Sequence, residues 1–189
     1  MPTDLDYLRT LSIEMFDGSR HERGPFTCGV ERIDNFLKIS ASGFVKDDNG
    51  RIYAAVDGEG GQLVGFYAIG PHSIDVSALN PDMVKRGLRV DNLPAFYLSM
   101  IGTHVKVRSK GVGSYLLADV FKRCLAASEA IGGRFIVLDA INERAAALYS
   151  RAGFVSLVSQ PERMIISMAK LRASAAAATA NAGRRSGPG

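Results

Sequence analysis

The hexapeptide Arg108-Ser109-Lys110-Gly111-Val112-Gly113 sets two cations and two glycines at the mouth of an amphipathic segment, "SYLLADVFKRCL". A helix start leaves four backbone N–H groups without intrahelical partners, and its aligned peptide dipoles favour negative charge. Glycine lets the backbone approach an oxyanion closely, so the chemistry on offer is binding of a phosphate or pyrophosphate. Arg108 and Lys110 flank the site and can add charge-assisted hydrogen bonds. A glycine-rich strand-to-helix turn with solvated cations explains the same residues, and the loop alone does not separate the two readings. Two familiar phosphate motifs are excluded. No lysine precedes the serine in "GVGS", so this is not a P-loop, and Leu116 stands where a dinucleotide fingerprint needs its third glycine.

Few other residues carry reactive chemistry. Cys28 and Cys124 form neither a disulfide framework nor a metal cluster, and the three histidines lack zinc spacing. Cys124 falls on an apolar helical stripe and reads as core, while Cys28 reads as packing at a helix start. His104 follows an apolar strand, and phosphate or solvent contact suits its position as well as base catalysis. Asn142 precedes "ERAAALYSRAGF" and can cap that helix.

These residues need a scaffold. "RTLSIEMF" (9–16) reads as a first strand, and "VERIDNFLKIS" (30–40) puts Ile33, Phe36, Leu37 and Ile39 near one helical face. A turn at Asn49-Gly50 leads to a strand at 51–57, and "GEGG" (58–61) is a hairpin turn into a strand at 62–70. Residues 71–92 hold a short helix, "NPDMVKRG". "PAFYLSMIGT" (94–103) reads as a strand buried on both faces. From Gly111 to about Ile131, residues Leu116, Leu117, Val120, Phe121, Cys124 and Leu125 share a stripe that stops at Gly132-Gly133. "RFIVLDA" (134–140) is a second buried strand, the Asn142 helix ends at Gly153, and "FVSLV" with "RMIISMAK" closes the sheet as an antiparallel pair. Strand, helix, strand in succession implies a parallel central pair with a right-handed crossover. The expected fold class is therefore α/β, with a mixed, mostly antiparallel sheet flanked by helices.

At 189 residues, 47% hydrophobic and 22% charged, the chain suits one soluble domain over 1–169. It holds no apolar run near the ~20 residues of a membrane helix and no signal-peptide pattern, so a cytoplasmic location is expected. A net charge of +4 permits a nucleotide, a cofactor phosphate or RNA as partner without demanding one. Residues 170–189 are Ala/Gly-rich and are expected to be frayed helix or disordered tail. Its Arg184-Arg185 pair, like Lys85, Arg86, Arg89, Lys122 and Arg123, reads either as a solvated face or as an RNA-facing patch.

Arg-x-x-Gly-x-Gly at a strand-to-helix junction resembles the acetyl-CoA loop of the GNAT N-acetyltransferase superfamily. "LPAFYLSMIGTHVKVRSKGVGSYLLADVFKRCL" resembles the fourth strand, pyrophosphate loop and following helix of these enzymes, and "LDAINERAAALYSRAGF" resembles their next segment. "FTCGVERIDNFL" and "GQLVGFYAIGPHSI" resemble signatures of one subgroup, the toxin acetyltransferases of toxin–antitoxin pairs, which acetylate the α-amine of aminoacyl-tRNA. The resemblance spans about residues 24–169. It departs at Ser99-Met100, where members often carry Gly-Arg, and at Ser109, where many have Gly.

The resemblance implies acetyl-CoA as cofactor, with the pyrophosphate on Arg108, Ser109, Lys110, Gly111, Val112, Gly113 and Ser114 and the pantetheine arm along the strand backbone at Ile101, Gly102 and Thr103. Asn142 would face the cofactor arm besides capping. Tyr149 would donate a proton to the departing sulfur, which an ordinary phenol near 10 can do for a thiol near 8.5. Charged tRNA is the implied acceptor, a ribbon-helix-helix antitoxin the implied protein partner, and a homodimer the implied assembly. Alternative acceptors are a small amine or a protein amine, and the alternative outside catalysis is a poorly active acyl-CoA-binding module.

Overall fold

The computed structural model describes residues 4–58, 61–84 and 90–185, without the side chains of 181–185. Glu59-Gly60 of the expected hairpin turn, Lys85, Arg86, Arg89 and the side chains of Arg184 and Arg185 lie outside the described residues.

Helix α1 (Leu5–Thr10) opens on Asp4, whose carboxylate accepts the Tyr7 N–H, and leads into strand β1 (Leu11–Met15). Helices α2 (Glu31–Asn35) and α3 (Ala41–Lys46) are joined by a π-helical turn, Phe36–Ser40. Strands β2 (Arg51–Asp57) and β3 (Leu63–Asp75) form the expected hairpin, and β4 (Asn92–Thr103) follows. Then come α4 (Val112–Ile131), β5 (Phe135–Asp139), α5 (Glu143–Arg151), β6 (Val155–Ser156), β7 (Arg163–Ser167) and α6 (Met168–Arg185). The strand order is β1-β2-β3-β4-β5-β7-β6. The β1–β2, β2–β3, β5–β7 and β6–β7 pairs are antiparallel. The β4–β5 pair is parallel, with Ala95–Tyr97 in register with Phe135–Val137. This is the mixed sheet with a central parallel pair that the alternation of elements implied.

Contacts divide the chain into two compact units, Met1–Pro71 with Leu98–Lys122, and His72–Tyr97 with Arg123–Gly189. The core of the first gathers Phe16, Phe26, Ile33, Leu37, Ile52 and Phe66. That of the second gathers Ile74, Leu93, Phe135, Val137, Leu157 and Ile165. Strands β3 and β4 and helix α4 each contribute residues to both units.

Two local expectations change. Ile33, Leu37 and Ala41 are buried at a four-residue spacing, and Ile39 between them turns away and is 76% exposed. Strand β4 is not buried on both faces: Leu93, Ala95, Leu98 and Gly102 are buried and their neighbours are half-buried or exposed. The Ala-rich tail continues as helix α6 through Arg185, consistent with the high helix propensity of alanine; its buried anchors are Met168 and Leu171, while residues 172–180 are exposed. Among the described residues, no helix is long and apolar enough to cross a membrane.

Candidate active site

In the first unit, the end of β4 runs through a short 3₁₀ turn (Val105–Val107) into the loop that opens α4. Ser109 has φ +66° and Gly111 φ +89°, so the chain reverses through the left-handed region twice in three residues. Glycine takes that conformation freely, whereas Ser109 holds it against its own Cβ. The first helical bond here is Tyr115 N–H to the Gly111 carbonyl at 3.0 Å, so the amides of Val112, Gly113 and Ser114 have no helical acceptor.

Gly113 is the informative glycine. A Cβ there would meet only the Thr103 methyl, at an ordinary 3.9 Å, so neither packing nor φ requires a glycine. A helix mouth with three amides lacking a helical acceptor and no side chain at Gly113 suits an oxyanion such as a pyrophosphate. Gly102 is different: a Cβ would lie 2.9 Å from Ile33 Cγ2 and 3.4 Å from Phe66, so core packing accounts for it. Ile101 and Thr103 are half-buried beside it. The β4–β5 ladder runs only through Ala95–Tyr97, so alternate residues of Leu98–Thr103 turn N–H and C=O groups to a strand edge beyond that ladder.

The two flanking cations are engaged by the protein. Arg108 Nη2 donates to the Cys28 carbonyl at 3.0 Å, and Lys110 Nζ lies 4.2 Å from the Tyr7 ring centroid. His104 is also committed. Its Nδ1 accepts the Lys106 N–H at 3.1 Å, which leaves the proton on Nε2 to donate to the Pro25 carbonyl at 3.2 Å. Burial pushes the Cys28 thiol up to about 11 and the Cys124 thiol up to about 12, so neither supplies a thiolate near neutrality. Of the cations on α4, Lys122 is exposed and Arg123 is half-buried.

In the second unit, Asn142 caps α5, its Oδ1 accepting the Ala145 N–H at 2.9 Å. Tyr149 lies one turn before the end of that helix and is 7% exposed, with Phe154 edge-on at 5.9 Å. Among the described residues its hydroxyl has no hydrogen-bond partner. The ring is buried while the hydroxyl oxygen is not among the fully enclosed, unpartnered polar atoms. Burial pushes it up to about 12.

Sequence reasoning missed a second polar group in this unit. Arg163 holds Asp139 with Nε to Oδ1 at 2.8 Å and Nη2 to Oδ2 at 3.0 Å, and Tyr97 donates to Oδ2 at 2.7 Å. His72 lies 5.1 Å from the Tyr97 ring; burial, then the Arg163 charge, lowers its pKa. The available signal was an aspartate ending an apolar strand, which needs a partner.

Residues 48–156 match the Acetyltransferase (GNAT) domain family. A probable toxin TacT of Sinorhizobium fredii is 36% identical over 167 residues, covering 85% of this chain and 92% of its own. A tRNA-acetylating toxin of Mycobacterium tuberculosis is 30% identical over 148 residues, covering 78% and 87%. The solved structure of a KacT mutant superposes with a TM-score of 0.81 at 26% identity, covering 86% and 98%.

Proposed function

The chain belongs to the GNAT acetyltransferase family, and on that footing we propose that it is a toxin that acetylates the α-amine of aminoacyl-tRNA from acetyl-CoA, so blocking translation. The observation that carries the cofactor is Gly113, a glycine required by nothing in the protein, among free amides at the mouth of α4. What supports the acceptor is the relative that is a tRNA-acetylating toxin.

Acetyl-CoA supplies an acetyl thioester when bound. The amides of Gly111, Val112, Gly113 and Ser114 would hold its pyrophosphate, with Ser109 shaping the turn. The edge of β4 at Ile101–Thr103 would order the arm, and Asn142 fixes the start of the helix that carries Tyr149. Tyr149 stays protonated throughout the physiological range. Tyr149 would donate its proton to the departing sulfur as the thioester breaks, and the proton lost by the amine nitrogen would restore the phenol.

The acceptor amine must arrive neutral. An α-amine has a pKa of about 7.7–8.0 against about 10.4 for lysine, so near neutral pH its neutral fraction is larger by roughly two orders of magnitude. An α-amine can therefore react through water without a strong enzymic base. Met100 supports a second reading. It packs against the apolar core of the first unit where resembling enzymes often carry arginine, which suits a small amine or a protein amine.

The test is incubation with labelled acetyl-CoA and total charged tRNA, then mass spectrometry of the released amino acids. N-acetylated amino acids support the toxin reading, and turnover with label only on small or protein amines supports the second. The first reading also carries a ribbon-helix-helix antitoxin and a homodimer, checked by co-purification and by sedimentation of the purified chain.

A further inference from the structure

Residues Pro25–Gly29 lie along the segment that leads into the loop, and every link is within the first unit. His104 Nε2 donates to the Pro25 carbonyl at 3.2 Å, Val105 N–H donates to the Thr27 carbonyl at 2.9 Å, and Arg108 Nη2 donates to the Cys28 carbonyl at 3.0 Å. Phe26, 1% exposed, pins this strap to the core against Phe66 and meets the His104 ring edge-on. The strap is tied in turn to α2. Asp34 accepts the Cys28 N–H at 2.8 Å and the Thr27 hydroxyl at 2.7 Å. Burial raises the Asp34 carboxyl, but these hydrogen bonds outweigh it and leave the group below its ordinary value. Gly29 completes the fit. Its φ is +81°, and a Cβ there would stand 2.7 Å from Arg108 Nη2.

We infer that Pro25–Gly29 is a strap that sets the pyrophosphate loop, and that Asp34 and Arg108 are positioning residues acting through the Cys28 peptide rather than on the cofactor. The loop needs such a fixture. It holds Ser109 in a left-handed conformation, a strain that persists only where surrounding contacts impose it. The inference also explains "FTCG" followed by Asp34 as one device: Phe26 anchors, Cys28 lends both backbone groups, Gly29 clears the guanidinium, and Asp34 locks the turn. It rests on the assignment of the loop to acetyl-CoA.

Acetyl-CoA kinetics of purified full-length variants test it. Arg108→Met and Asp34→Ala should each raise KM for acetyl-CoA on the order of tenfold, the scale of one charge-assisted hydrogen bond, with kcat within about threefold. The double variant should be no worse than the weaker single, because both release the same strap. Asp34→Asn, which keeps an acceptor for the Cys28 amide, should recover most of the loss. Thr27→Val, a smaller change at the same turn, should shift KM in the same direction if Asp34→Ala does not fold. An unchanged KM in Asp34→Ala, or in Thr27→Val should the former not fold, overturns the inference, as do multiplying effects in the double variant, which would mean direct phosphate contact by Arg108. Gly113→Val separates the two levels. If it weakens binding while the strap variants do not, the strap falls and the loop stands; if it leaves binding unaltered, the loop assignment itself fails.

Discussion

Tyr149, 7% exposed with its phenol held near 12, is limited by burial to donating. Tyr149→Phe should keep acetyl-CoA affinity in calorimetry and lower kcat by about a hundredfold or more, the range of one positioned acid. The pH profile adds a sharper expectation. The rate should climb as the α-amine loses its proton, near pH 8, and should show no falling limb near 10, because the tyrosine does not ionise until about 12. The sign for stability follows: a pKa raised on folding gives stability that is intact below pH 10 and lost between about 10 and about 12. The sequence named this tyrosine through its neighbours in "NERAAALYSRAGF", but its burial depends on contacts remote in sequence.

Elements carry the cofactor site. Gly113→Val should raise KM for acetyl-CoA about tenfold or more while leaving the melting temperature nearly unchanged, since a Cβ there meets only the Thr103 methyl at an ordinary contact distance. Asn142→Ala removes the cap on α5 and should cost about 1 kcal/mol, seen as a drop of roughly 2–4 °C in Tm, with Asn142→Asp restoring it. Glycines and periodic stripes made α4, β5 and α5 legible, because those signals are local. The π turn at Phe36–Ser40 and the commitment of Arg108 to Cys28 were not, because each is decided by packing between segments up to 80 residues apart. The two cations of the hexapeptide, read as phosphate ligands, contact a carbonyl and an aromatic ring of the protein.

For the molecule as a whole, the two compact units share β3, β4 and α4, and we propose that they work as one acetyltransferase domain. Calorimetry should then show a single cooperative transition; two separable transitions would contradict this. Truncation after Arg172, whose guanidinium reaches Ser128 Oγ at 2.8 Å, should leave activity within about twofold, because residues 173–180 are exposed and bury little. The central claim is acetyl transfer to an aminoacyl α-amine. Its most direct measurement is mass spectrometry of amino acids released from total charged tRNA after reaction with labelled acetyl-CoA. The account predicts labelled N-acetyl amino acids with wild-type protein and their loss with Tyr149→Phe. Full consumption of acetyl-CoA with every released amino acid unmodified would contradict it.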